Sequence, residues 1–391
     1  MTTYILLRDR SGNWRRPSVS LGPRIEPRNP ARPAEPFIEV ADLSPGDLRA
    51  AMRDEAVLTA SPAMPTRLIS PAPLDGLRDD SAEAGWGLRA IGADCTPLCG
   101  QGARVALLDT GLDAAHPAFH GVTVTGRDFA GTGLEDANGH GTHVAATILG
   151  RDLGGVRIGV ARGVTELLVG KALSDNGLGR SDDFLNAVLW ALQEKADVLG
   201  FSLCFDTVAH VMALIEEGYP QSLATASAVH AYRGNLRVFE MILDMLGGDS
   251  GTLILGAVGN DSLRVISEGF ETGPAAPAAA RGVLSVAALG REEGALTPAP
   301  FSNLGAALCA PGEGVVSAAM GGGTRVLNGT SMAMAHVAGI AALWVQRLHE
   351  GKEAVTALSL AARLIGGATR SGLGPAASRV DIGHGRVQAP R

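Results

Sequence analysis

The chain has 391 residues, with 33 Lys and Arg against 40 Asp and Glu for a formal net charge of −7. Its 46% apolar and 19% charged content supplies a sizeable core and excludes general disorder, and a pI near 5.7 excludes a basic face built to grip nucleic acid. No apolar run is long enough to cross a membrane, the first ten residues lack the apolar core of a signal peptide, and four Cys form no disulfide framework, so the expectation is a cytoplasmic α/β protein with reduced Cys95 and Cys99.

In chain order, residues 1–10 alternate weakly as a strand. Residues 11–36 pack six prolines and five arginines into 26 positions, the composition of an extended arm. Phe37–Val40 reads as a strand. Ser44-Pro45-Gly46-Asp47 reads as a helix start, with Ser44 as N-cap, Pro45 at N1 and Leu43 and Leu48 as a staple; the helix is expected to reach about Glu55. Ala56–Ala60 is another strand. These pieces make a small α+β unit, equally readable as an edge appendage of the main body.

From Trp86 strands alternate with helices. Expected strands are Arg104–Leu108, Glu166–Leu173, Asp197–Leu203, Thr252–Val258 and Gly282–Leu289. Expected helices are His140–Leu149, Ser181–Lys195, Leu236–Leu246 and Ser331–His349. This alternation predicts a mostly parallel sheet covered on both faces, with a site beyond the carboxyl ends of the strands.

Three motifs sit at such places. Asp109-Thr110-Gly111 ends a buried strand, where a lone Asp is also a common turn or cap residue. In Asn138-Gly139-His140-Gly141-Thr142-His143, the two histidines lack the i, i+4 spacing and Glu of a zinc peptidase helix. Ser331, after Asn328-Gly329-Thr330, opens an apolar helix, where Ser is ordinarily a plain N-cap. Together they supply a carboxylate, an imidazole and a hydroxyl in the order Asp, His, Ser. A hydroxyl needs a base to take its proton, and the base needs a carboxylate to hold its tautomer.

The wording of these motifs resembles the subtilisin-like serine proteases (subtilases, peptidase family S8), from about Trp86 to Ala389. The resemblance includes His116-Pro117, Gly139-His140-Gly141-Thr142-His143-Val144-Ala145, Gly256-Ala257-Val258-Gly259-Asn260 and Gly329-Thr330-Ser331-Met332-Ala333 with His336-Val337-Ala338-Gly339. It implies a three-layer α/β subtilisin-like fold over residues 85–391, preceded by a small α+β propeptide-like region over residues 1–80 that carries the Pro/Arg-rich arm (11–36). It implies a serine endopeptidase in which Asp109 orients His140 and His140 deprotonates Ser331. The Asn260 amide and the Ser331 N–H would form the oxyanion hole. The peptide or protein substrate would bind by strand addition to Gly177, Leu178, Gly179 and to Ser202, Leu203, Cys204, near Ala257 and Gly259. Read alone, Asn176–Gly179 is more readily a glycine-containing turn before the next helix.

The resemblance also implies a zymogen. Phe37–Ile69 is similar to the later part of subtilase propeptides, so residues 1 to about 80 are expected to act as an intramolecular inhibitor removed near Leu68–Ala84. Several departures stand out. Cys204 occupies a position usually held by Gly, which would narrow or reshape the first specificity pocket. Ala335 replaces a Pro. Between Ser202 and Asn260 lie 57 residues, more than the family core needs, so an insertion at about 205–233 is expected beside the cleft, restricting substrates. The positions that often bind structural calcium hold Ala118 and Asp152-Leu153-Gly154-Gly155-Val156-Arg157, too few oxygens for that ion, so neither a metal nor another cofactor is expected. No nucleic-acid or membrane partner is expected, nor any module after Ala389. Alternative readings are a selective peptide-maturation protease or macrocyclase, or a non-catalytic peptide-binding protein on the same fold.

Overall fold

In the computed structural model, residues 1–12, 14, 34–73, 85–292, 294–375 and 377–391 are described. Most of the arm at 11–36, and the 74–84 part of the expected removal region, lie outside them. The first unit is an antiparallel sheet in the order β2-β1-β3, formed by β1 (Thr2–Asp9), β2 (Pro36–Leu43) and β3 (Val57–Pro62), with α1 (Pro45–Ala51) between β2 and β3. Ser44 caps α1 in a capping box with Asp47. The helix stops at Ala51, short of Glu55. Ile5, Leu6 and Leu7 of β1 are all buried, and Ile5 and Leu7 join the core of the main body. The buried Asp9 carboxylate accepts the backbone N–H groups of Ser11, Trp14 and Glu35. Both ends of the arm are thereby tied to one side chain.

After β4 (Pro65–Leu68) come α2 (Trp86–Ala90), β5 (Arg104–Asp109), β6 (Thr123–Asp128), α3 (His140–Leu149), β7 (Glu166–Lys171), β8 (Leu178–Arg180), α4 (Ser181–Gln193), β9 (Val198–Phe201) and β10 (Leu203–Phe205). The chain continues through α5 (Thr207–Glu216), α6 (Gln221–Ser250), β11 (Leu253–Ala257), β12 (Val283–Glu292), β13 (Ala295–Pro298), β14 (Leu308–Pro311), β15 (Val315–Ala318) and β16 (Thr324–Leu327). It closes with α7 (Thr330–Glu350), α8 (Ala357–Gly366) and α9 (Arg379–Ile382).

The central sheet runs β13-β12-β11-β9-β5-β7-β6, with β14 added beside β12. Its pairings are parallel except for the β12–β13 hairpin. Strands β5, β9 and β11 are apolar at almost every position because both their faces are covered. One face packs against α3 and α7, the other against α4 and α6. Helix α7 is buried from Thr330 through Leu343, so it is apolar all round rather than amphipathic. Among the described residues no helix is long and apolar enough to cross a membrane.

Two expected boundaries move. The strand expected at Asp197–Leu203 divides at Ser202, where the chain leaves the central sheet and β10 pairs with β4. The helix expected at Leu236–Leu246 is the later part of α6, and α5 and the first turns of α6 occupy 207–233. Gly234 and Asn235 of α6 meet β3: the fully buried Asn235 donates to Ser61 Oγ at 3.1 Å and to Pro62 O at 2.8 Å. A sequence period cannot reveal a contact 174 residues apart.

Candidate active site

Asp109 ends β5 and His140 opens α3, and both are buried. His140 Nδ1 lies 2.7 Å from Asp109 Oδ1, and the same carboxylate oxygen accepts the Thr110 N–H at 2.8 Å. Gly141 permits this approach, because a Cβ there would collide with the Gly111 carbonyl. Ser331 lies in the first turn of α7, which packs against α3. Asp109 Oδ2, His140 Nε2 and Ser331 Oγ are buried without a hydrogen-bond partner. The Asp–His link is closed while the His–Ser link is open, as such links often are outside a reacting complex.

A second buried carboxylate, Asp136, builds the frame around the first. It accepts from Thr110 Oγ1 at 2.8 Å, the Gly139 N–H at 2.8 Å, the Thr142 N–H at 2.8 Å and Thr142 Oγ1 at 2.7 Å. Burial pushes its pKa up, but the bonds from Thr142, Gly139 and Thr110 outweigh this and hold it below the usual range. Asp136 thus ties the turn after Asp109 to the start of α3. His143, one turn into α3, faces the Val315 and Arg325 carbonyls, and burial, reinforced by His140 and Arg325, drives its pKa down to about 3. It is a neutral packing group and not a second base.

Asn260 follows β11. Its Oδ1 accepts from the Thr330 N–H and from Thr330 Oγ1, both at 2.9 Å, so its Nδ2 must point the other way. That Nδ2 donates to the Ser70 carbonyl at 2.8 Å. Thr330 Oγ1 also accepts the Gly259 N–H at 3.2 Å, and Ala257 is buried at the end of β11. Thr330, like Asp136, was not singled out from sequence; a hydroxyl adjoining Ser331 was its only signal.

The segments Leu178–Arg180 and Leu203–Phe205 flank one strand of the N-terminal part of the chain. β4 is the middle strand of an antiparallel sheet in the order β10-β4-β8. Leu203, Cys204 and Phe205 pair with Leu68, Arg67 and Thr66, while Leu178 and Gly179 pair with Arg67 and Thr66. Leu68 donates its N–H to Gly177 O at 2.7 Å, and Ile69 donates to Ser202 O at 3.0 Å. A Cβ on Gly179 would come within 2.8 Å of Thr66 Oγ1, so glycine admits β4 at this distance. Beyond Ser70, Ala72 donates to Asn328 O, and Asn328 Nδ2 donates to Pro73 O, each at 2.9 Å. Cys204 is buried, and burial pushes its thiol pKa up to about 12. It is a neutral wall.

Subtilases commonly carry calcium, but the loop after α3 does not fit a cation. Arg157 Nε and Nη2 donate to the Gly159 and Val160 carbonyls at 3.1 and 2.8 Å, and Arg162 pairs with Asp152 at 2.7 Å. Guanidinium groups hold oxygens that a metal would need, and Ala118 is buried without a donor side chain.

The subtilase family model matches residues 100–385. Subtilisin-like protease 6 of Arthroderma benhamiae is 31% identical over 267 residues, covering 66% of this chain and 57% of that protein. Subtilisin-like protease 6 of Trichophyton verrucosum is 32% identical over 248 residues, covering 63% and 52%. The chain thus spans little more than half the length of these curated relatives. Among solved structures, a mutant of the protease domain of PatA matches with a TM-score of 0.56 and 26% identity, over 75% of this chain and 94% of that one. A cold adapted subtilisin-like serine proteinase matches with a TM-score of 0.52 and 27% identity, over 75% and 89%. With the family model spanning the sheet, α3 and α7 alike, this chain belongs to the subtilase family.

Proposed function

We propose that the protein is a serine endopeptidase whose own N-terminal region occupies its substrate cleft as an intramolecular inhibitor. The observation that carries this reading is β4, paired on both edges like an added peptide strand, with its following carbonyl on the Asn260 amide. In the reaction, Ser331 Oγ attacks a substrate carbonyl carbon while His140 Nε2 takes the hydroxyl proton. Asp109, on Nδ1, holds the tautomer and stabilises the imidazolium. Asn260 Nδ2 and the Ser331 N–H receive the developing oxyanion, helped by the positive end of α7. The amine departs with the proton from His140, and water, deprotonated in turn by His140, releases the acid and restores Ser331.

The inhibitor reading is supported by the way the N-terminal unit is held. β1 contributes Ile5 and Leu7 to the main core, and Asn235 locks β3 to α6. On this reading the helices within the expected insertion support the N-terminal unit as well as bordering the cleft. We propose further that the fold needs neither calcium nor another cofactor. Fluorophosphonate labelling of wild type and Ser331→Ala, with intact mass on the same samples, tests the function, together with a chain lacking residues 1–84 supplied with the separate N-terminal piece. Labelling of wild type, or of the shortened chain until that piece is added, with Ser331→Ala unlabelled, is the expected result. An unlabelled Ser331 in a folded shortened chain would overturn the peptidase reading. Equal labelling with and without the N-terminal piece would overturn the inhibitor reading.

A further inference from the structure

We infer that Asp206 and Asp261 form an acidic subsite that takes a guanidinium or ammonium side chain of the substrate, at the position paired with Cys204. This rests on the peptidase reading above and adds a substrate class to it.

The occupant is already visible. The Arg67 backbone is paired with Cys204 on one side and Leu178 on the other. Its guanidinium reaches two carboxylates from separate segments: Nη2 lies 2.7 Å from Asp261 Oδ1, and Nε lies 3.7 Å from Asp206 Oδ2. Each carboxylate has its other oxygen fixed by the protein. Asp206 Oδ1 caps α5 by accepting the Ala209 N–H at 2.9 Å. Asp261 Oδ2 lies 3.3 Å from Asn303 Nδ2, and the Asp261 N–H donates to Asn303 Oδ1 at 2.9 Å. Both groups are therefore oriented by the body of the protein, independently of Arg67.

The two carboxylates, Cys204 and Thr272 border one open cavity of about 570 Å³. Its neutral Cys204 wall offers no competing charge. Among the described residues, Arg67 is the cation ion-paired with either Asp. A strand that displaces β4 leaves two oriented anions without a counter-charge, and a basic side chain at the same register restores it.

The test uses the full chain carrying Ser331→Ala and Arg67→Ala, which cannot cut and lacks its own guanidinium. Anisotropy is read with labelled Pro-Thr-Arg-Leu-Ile and with the same peptide bearing Ala or Glu in place of Arg. The Arg peptide is expected to bind about fivefold tighter than the Ala peptide, and the Glu peptide weakest of all. Adding Asp206→Asn and Asp261→Asn brings the three within about twofold. In the otherwise wild-type chain, the same pair of substitutions speeds exchange of the Leu68 and Ile69 amides. Equal and measurable binding of the three peptides, or unchanged exchange where no peptide displaces β4, overturns the subsite. If the binding order holds but Ser331 in a folded chain lacking residues 1–84 takes no fluorophosphonate label, the subsite stands and the peptidase reading falls.

Discussion

The region around Asp109 and His140 and the region around β4 are built on opposite plans. The first is dry and local: two carboxylates, Asp109 and Asp136, gather donors from Thr110, Gly139, His140 and Thr142, no bonded pair being more than 31 residues apart. The second is assembled from distant pieces. Arg67 meets Asp261 across 194 residues and Ser70 meets Asn260 across 190, with Arg67 and Asp261 both partly exposed. Burial makes the first set rigid and costly to alter, whereas partial exposure makes the second exchangeable.

The comparison can be broken most sharply at Asn260, which links Ser70 beside β4 to Thr330 next to Ser331. Asn260→Ala removes the amide that Thr330 aims at the cleft, and turnover by the chain freed of residues 1–84 should fall by about 10²–10³. Thr330→Val keeps the backbone donor and loses only the hydroxyl, so about a tenfold loss is expected, chiefly in kcat. If Thr330→Val matched Asn260→Ala, the hydroxyl and not the amide would be carrying the effect.

Acid should weaken the packing of α7. His336 is fully buried in α7 with Nδ1 on Met332 O, and burial drives its pKa down to about 4. Its folded pKa lies below the unfolded value of about 6.5, so the unfolded chain binds more protons in that interval. Its contribution is complete above about pH 6.5 and is lost as pH falls toward 4, amounting to about 3 kcal/mol at most. Chemical denaturation of His336→Gln between pH 7 and 4.5 should show a shallower decline than wild type; parallel declines would remove His336 from the account. The smallest effect concerns the loop after α3. With Arg157 on its carbonyls, adding or chelating calcium should move the melting temperature by less than about 1 °C, since a ligand stabilises only what it binds. A large calcium-dependent rise would show that oxygens elsewhere form a site.

Legibility in the sequence followed the range of the interactions. The buried runs Val105–Leu108 and Leu253–Ala257 were readable as parallel strands because both faces are covered, and α3 was readable to its exact ends from the glycines around His140. Helix α1 was placed at its start by Ser44 but ended too late, since no strong stop follows Ala51. The 30-residue α6 was read only in part, because it packs against α5 and, at Asn235, against β3, which a hydrophobic period does not report. Asp136, Thr330 and Arg67 went unmarked for a related reason: their partners lie elsewhere in the chain or act through backbone atoms.

The sequence by itself determined the subtilase-like motifs, the alternation of strand and helix, and the residue types at the strand ends. These depend on local backbone geometry and on burial patterns that repeat along a few residues. Only the tertiary structure decided that β4 lies between β10 and β8, that Asn260 is aimed by Thr330, and that Arg67 lies between Asp206 and Asp261. Those outcomes need segments from 70 to 194 residues apart to meet, and loop closure over such lengths is settled by packing of the whole core rather than by any local preference.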